Sequence, residues 1–193
     1  MKHDPRSDLN NLVAQTLTFN FRVPNEEARR VAAQVGEFLV VEDVGGKHFE
    51  LLNVTLQWNA LCGSILDGEL ILSGNRFAGL PLIGVLRWFD AMRNNNVSLL
   101  PSFRGSIDVD HIEAAMCMAL RKQETEAQSY SPDDTYEALF KRANAILSEA
   151  GFDSIEIQRF REAINRLRQL QCLTSRTGSF RLKDEVRFQI PEE

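Results

Sequence analysis

The sequence has little of what would suit it to disulfide frameworks, membranes or phosphate-loop chemistry. Its three cysteines, Cys62, Cys117 and Cys172, are odd in number and far apart. That argues against a disulfide framework and a Cys-x-x-Cys metal site, and suits a reducing compartment. There is no run of about 18 apolar residues, and the N-terminal MKHDPRSDLNN lacks the apolar core of a signal peptide. The expectation is a soluble, cytoplasmic protein with no membrane partner. Neither a Gly-x-x-x-x-Gly-Lys-Ser/Thr loop nor a Gly-x-Gly-x-x-Gly turn occurs, and CGS at 62–64 is no Gly-x-Ser-x-Gly elbow. His3, His48 and His111 are isolated; His111 with Glu113 resembles half of a deaminase motif that lacks its Pro-Cys-x-x-Cys partner. These absences leave no catalytic residue, no metal ligand set and no cofactor to expect, so the sequence reads as a non-enzyme. Cys62 reads as a small buried hydrophobe, and Trp58 and Trp88 as core.

What is present is a globular composition, 44% hydrophobic and 25% charged over 193 residues, enough for one substantial domain or two small ones. The net charge of −5 conceals an asymmetry. Between Ile157 and Lys183 stand seven positive residues, Arg159, Arg161, Arg166, Arg168, Arg176, Arg181 and Lys183, against Glu162 alone: 7 − 1 = +6, leaving −5 − 6 = −11 elsewhere. A basic segment on an acidic body suits a polyanion or an acidic protein partner.

The first hundred residues mix strand and helix patterns, and a mixed α/β N-terminal domain is expected over 1–100. TLTFNFRV (16–23) alternates like a half-buried strand. Pro24 and Asn25 open a helix with Val31, Ala32, Val35, Phe38 and Leu39 inward, stopped at Gly45-Gly46. LNVTLQWNAL (52–61) alternates with Leu52, Val54, Leu56 and Trp58 on one face. ILDGELIL (65–72) predicts a hairpin turning at Asp67-Gly68. A short helix then buries Leu82, Val85, Leu86, Phe89 and Met92 before the polar RNNN.

A second domain is expected over 106–190. Asp108 and Asp110 can cap a helix with Ile112, Ala115, Met116, Ala119 and Leu120 inward, followed by a loop within 121–130. Ser131-Pro132-Asp133-Asp134 starts the next helix, which buries Tyr136, Leu139, Phe140, Ala143, Ile146 and Leu147 and ends at Gly151. From about Ser154 to Cys172, Ile157, Phe160, Ala163, Ile164, Leu167 and Leu170 share one side of a helix, with Gln158, Glu162, Asn165 and Gln169 opposite. Arg159 and Arg166 flank one edge of the apolar side, and Arg161 and Arg168 the other. Leu173 starts a strand, and Phe180 and Leu182 return antiparallel across TSRTGS. Three helices and then a β-hairpin is the order of a winged helix-turn-helix. The fold class expected is α+β, a mixed N-terminal half followed by a C-terminal winged helix. On such a fold Gln158, Asn165 and Gln169 can read adenine edges and Arg159, Arg161, Arg166 and Arg168 can hold phosphate or guanine, while Arg176, Arg181 and Lys183 on the wing touch backbone. The same arginine stems can also simply cover the rim of the core.

FREAINRLRQLQCL, SFRLKDEVRF and the preceding SPDDTYEALFKRANAIL resemble the C-terminal winged helix of the MukE/MksE family, accessory subunits of bacterial MukBEF-type condensins. The resemblance rests on the helix core Asn-Arg-Leu-Arg-x-Leu, on SFRL, similar to the family's Ser-x-Phe-Arg-(Ile/Leu) strand, and on VRF, similar to its Val-x-Arg-Phe ending, and covers about the last 80 residues. The first half departs from that family's N-terminal winged helix in its extra alternating segments. The resemblance implies a dimeric, nucleoid-associated protein that binds the kleisin and SMC ATPase subunits of a chromosome-organising complex, with double-stranded DNA as a further partner. Without it, a winged-helix transcriptional regulator with an N-terminal dimerisation or sensing domain is the alternative.

Overall fold

The computed structural model describes residues 4–43, 51–93, 107–126, 136–176 and 179–191. Within them the chain is mostly helical, with seven α-helices and two small antiparallel sheets. The helices are α1 (Pro5–Gln15), α2 (Asn25–Gly36), α3 (Trp58–Leu66), α4 (Leu80–Arg93), α5 (Ile107–Glu126), α6 (Tyr136–Glu149) and α7 (Ile157–Gln169). The strands are β1 (Leu39–Asp43), β2 (Leu51–Leu56), β3 (Leu173–Arg176), β4 (Ser179–Leu182) and β5 (Val186–Pro191). The α+β class is therefore observed. Among the described residues no helix is long and apolar enough to cross a membrane.

Helix α1 starts where Asp4 accepts from the backbone N–H of Arg6 at 3.1 Å, with Pro5 in the first turn. Its buried Leu9, Leu12 and Val13 continue at helical spacing into Leu17. This corrects the strand expected over 16–23: Thr16–Asn20 is a π-helical extension of α1, with Leu17 buried and Phe19 79% exposed. The alternation of 17, 19, 21 and 23 is real but short. The longer 3.6-residue period that enters it from α1 prevails. Helix α2 stands as expected, with Glu26 and Glu27 at its positive end and Ala28, Val31, Ala32 and Val35 buried, but it ends at Gly36, and Leu39 begins β1.

Strand β2 buries Leu52, Val54 and Leu56 as its alternation predicts. Trp58, expected on the same strand face, instead opens α3 and is fully buried there. The hairpin expected at Asp67-Gly68 is likewise a helix end. Gly68 has φ +80°, its N–H donates to Ile65 O at 3.3 Å, and the N–H of Glu69 donates to Ser64 O at 2.9 Å. That is a Schellman cap on α3, which needs a left-handed residue just as a hairpin turn does.

Helices α4 and α5 form the centre. In α4 every residue from Leu80 to Phe89 is buried, Arg87 included, and in α5 every residue from Asp110 to Leu120. Two expectations for α5 are corrected: Asp110 lies inside the helix instead of capping it, and the helix runs on to Glu126 through part of the predicted loop. Helix α6 buries Leu139, Ala143 and Leu147 and ends at Gly151 (φ +88°) in a second Schellman cap, with Phe152 N–H donating to Leu147 O at 2.9 Å. The Gly45-Gly46 stop, RNNN and Ser131–Asp134 fall wholly or mainly outside the described residues.

Strands β3 and β4 pair in the expected register, Leu173 opposite Leu182 and Arg176 opposite Ser179, while the Thr177-Gly178 tip lies outside the described residues. The last strand, β5, leaves this hairpin and pairs with β2, Val186 opposite Leu56 and Ile190 opposite Leu52, in a sheet of order β1-β2-β5. One apolar cluster runs from Leu9 to Ile190. The expected boundary between 100 and 106 lies outside the described residues; on either side of it the two halves share a sheet and a core.

Candidate nucleic-acid or partner-binding face

Helix α7 has Phe160, Ala163, Ile164 and Leu167 against the core, followed by Leu170. Ile157, expected in that stripe, is 42% exposed at the first residue of the helix. The exposed side separates into unlike regions. Arg161, Asn165 and Arg168, at i, i+4 and i+7, form one outward strip. Among the described residues none of the three makes a side-chain hydrogen bond or ion pair. Gln158 lies beside them, donating from Nε2 to Glu162 Oε1 at 3.2 Å. Arg159 is exposed on the opposite edge, where it lines a cavity of about 420 Å3 with His111, Phe152 and Glu156.

Arg166 belongs to a different structure. Its side chain is only 28% exposed. Nη1 donates to Asp110 Oδ1 at 2.8 Å and to Glu113 Oε2 at 3.0 Å, and Nη2 donates to Asp90. Behind them Arg87 Nε donates to Asp110 Oδ2 at 3.1 Å. With its amide oxygen facing the guanidinium, Asn20 accepts from Arg87 Nη1 at 3.0 Å. Arg166 was expected beside Arg159 on one edge of the apolar side, able to hold phosphate or guanine; the carboxylates of α4 and α5 hold it inward, so it cannot reach a phosphate without leaving them. Burial by itself disfavours the Arg166 cation, and the carboxylates, Glu113 foremost, more than reverse this and hold its pKa above the ordinary value. Glu113 is fully buried. Its pKa is raised to about 8: burial, the largest cause, pushes it up, Arg166 pulls it down, and Asp110 and Asp90 push it up.

The hairpin borders a second surface. Its strand β4, the end of α5 and the start of β5 enclose a groove of about 980 Å3. Glu124 ties the groove together: Oε1 accepts from the backbone N–H of Leu182 at 3.2 Å and Oε2 from Asn59 Nδ2 at 3.1 Å. Arg181, Lys183 and Arg187 line it, but so do Glu124, Asp184 and Glu185, and Glu185 accepts from Arg187 Nε at 2.9 Å. The base of the hairpin therefore presents both signs in equal number. Of Arg176 only the backbone is described, at the end of β3.

The structure thus brings together Gln158, Arg161, Asn165 and Arg168 on one strip and Arg181 and Lys183 on the groove, sets Arg159 apart and turns Arg166 inward. Sequence reasoning missed the ion cluster of Arg87, Asp90, Asp110 and Glu113. The available signal was Arg87 inside the otherwise apolar LPLIGVLRWF, and two acids beside the apolar stripe of α5, since charges in such places need partners. Cys62, Cys117 and Cys172 are fully buried free thiols, as the reading of Cys62 as a small buried hydrophobe expects of that residue; burial pushes the thiols of Cys117 and Cys172 well up.

Comparison with protein-family models, with curated proteins and with solved structures finds no match to this chain.

Proposed function

We propose that α5, α6 and α7 with the β3–β4 hairpin act as a winged helix-turn-helix, and that the chain is a non-enzymatic accessory subunit of a condensin-like complex. In this reading it binds kleisin and SMC ATPase subunits as a homodimer in the cytoplasm, associated with the nucleoid, as the resemblance to MukE/MksE implies. The observation that carries the proposal is the outward strip of α7: Arg161, Asn165 and Arg168 are exposed, and their side chains are uncommitted among the described residues, on the helix directly before the hairpin. A cation that neither covers the core nor pairs internally is available to a partner. The groove favours protein as one partner, because three acids among its three cations oppose a polyanion along that surface. The α7 strip, which has no acid among its members, is where double-stranded DNA would lie.

Two measurements test the reading. Tagged full-length protein recovered from its native host should bring down a long coiled-coil ATPase and a kleisin. Recovery of neither, together with occupancy of a few discrete operator sites, would replace the proposal with the transcriptional regulator. For DNA, Arg161→Gln with Arg168→Gln should lower the salt slope of duplex binding by roughly two units, about one per lost phosphate contact. An unchanged slope with an intact circular dichroism spectrum removes DNA from the strip.

A further inference from the structure

The junction that seats α7 on the central helices does not balance its charge. Asp90 of α4 and Asp110 and Glu113 of α5 bring three carboxylates; Arg87 of α4 and Arg166 of α7 bring two guanidiniums. Arg87, Asp110 and Glu113 are at least nine-tenths buried, so one negative charge would remain uncompensated where solvent cannot screen it. Among the three acids, Glu113 alone is fully buried with an oxygen, Oε1, that has no hydrogen-bond partner among the described residues. Asp110 by contrast accepts from Arg166 on one oxygen and Arg87 on the other, and Asp90 accepts from Arg166 at the more open edge.

We propose that Glu113 is the proton-carrying member of this junction, so that the docking of α7 onto α4 and α5 is linked to pH through one buried carboxyl group. A proton there makes the charges equal, two against two, and Glu113 still accepts from Arg166 through Oε2. The charges that act on Glu113 itself are those of Arg166, Asp110 and Asp90; beyond them Cys117 lies one turn along α5, the free thiol of Cys62 of α3 hydrogen-bonds with that of Cys117, and Cys172 lies at the foot of the hairpin, where the further cation, Lys183, acts on Cys172. The raised acid fixes the sign. Below the ordinary value of 4.5 both folded and unfolded chains hold the proton and the contribution of this group is at its greatest. From 4.5 to about 8 only the folded chain holds it, so stability falls as pH rises, and above about 8 the loss is complete. The strip bearing Arg161, Asn165 and Arg168 rides on the same helix, so its placement carries this dependence whether its partner is DNA or protein.

Folding near pH 6.5 should take up close to one proton more in the wild type than in Glu113→Gln, read by calorimetric unfolding in buffers of different ionisation enthalpy. Between pH 5 and 8 the Tm of Glu113→Gln should fall less steeply than that of the wild type and exceed it at pH 8. Amide protection of α7, corrected for intrinsic exchange, should fall over the same range in the wild type alone. Equal proton uptake and parallel Tm profiles would overturn the proposal, as would equal pH dependence of α7 protection in the two proteins. Should Glu113→Gln fail to fold, carboxyl carbon NMR of the wild type decides: a Glu113 resonance titrating near 8 supports the proposal and one titrating at or below 4.5 overturns it.

Discussion

Gln171 closes α7 in the left-handed conformation, φ +61°, where Gly68 and Gly151 close α3 and α6 at +80° and +88°. The bonds are those of a Schellman cap, with Gln171 N–H donating to Arg168 O at 3.1 Å and Cys172 N–H to Leu167 O at 2.9 Å. A side chain in this region costs about 1–2 kcal/mol, part of which glycine returns through its freer unfolded state. Gln171→Gly should therefore stabilise the protein by roughly 0.5–1 kcal/mol, seen as a higher urea midpoint at unchanged m-value. Arg166 makes the opposite prediction. It is the cation that Asp90 and Glu113 share, so Arg166→Gln should destabilise by about 3–5 kcal/mol, the usual cost of breaking a buried pair. If Arg166 were a solvent-facing contact residue, that substitution would leave the midpoint within about 0.5 kcal/mol of wild type.

At the scale of elements, close approach of α1 to α4 sets the geometry of the centre. A Cβ on Gly84 would stand 2.9 Å from Val13 Cα and 3.1 Å from its Cγ2, contacts a backbone cannot give way to cheaply. Gly84→Ala raises the intrinsic helix propensity of α4, yet should destabilise by about 1–3 kcal/mol through overpacking. A denaturation midpoint at or above wild type would show that the two helices have room to part. The same contact explains why α4 shows so little amphipathic pattern: with α1, α2 and α5 packed around it, almost every side of it is a core side.

At the scale of the whole molecule, β5 decides cooperativity. It returns to β2 after the hairpin and brings Phe188 within 5.4 Å of both Trp88 and Phe89 of α4. Ending the chain after Asp184 should remove the single unfolding transition and most of the near-ultraviolet circular dichroism of the buried Trp58 and Trp88, leaving a collapsed, loosely packed state. A truncated protein that kept a native aromatic signal and a sharp transition would show that the fold does not depend on β5.

The sequence by itself determined what depends on neighbours within a turn or two. The helical spacing of Val31, Ala32 and Val35 in α2, of Leu139, Ala143 and Leu147 in α6 and of Phe160, Ala163, Ile164 and Leu167 in α7 is legible because one face must be apolar. So is the pairing of Leu173 with Leu182, set by a short connection. Arg161, Asn165 and Arg168 could be placed outward for the same reason. Tertiary structure decided the rest. A left-handed glycine serves a hairpin and a helix end equally, so Gly68 could not announce α3. Alternation over 16–23 could not outweigh the period of α1. Nothing local names β2 as the partner of β5, and the inward turn of Arg166 depends on acids 53 to 76 residues away. Periodicity records which face is buried, whereas charge partners and strand order depend on what the folded chain places against that face.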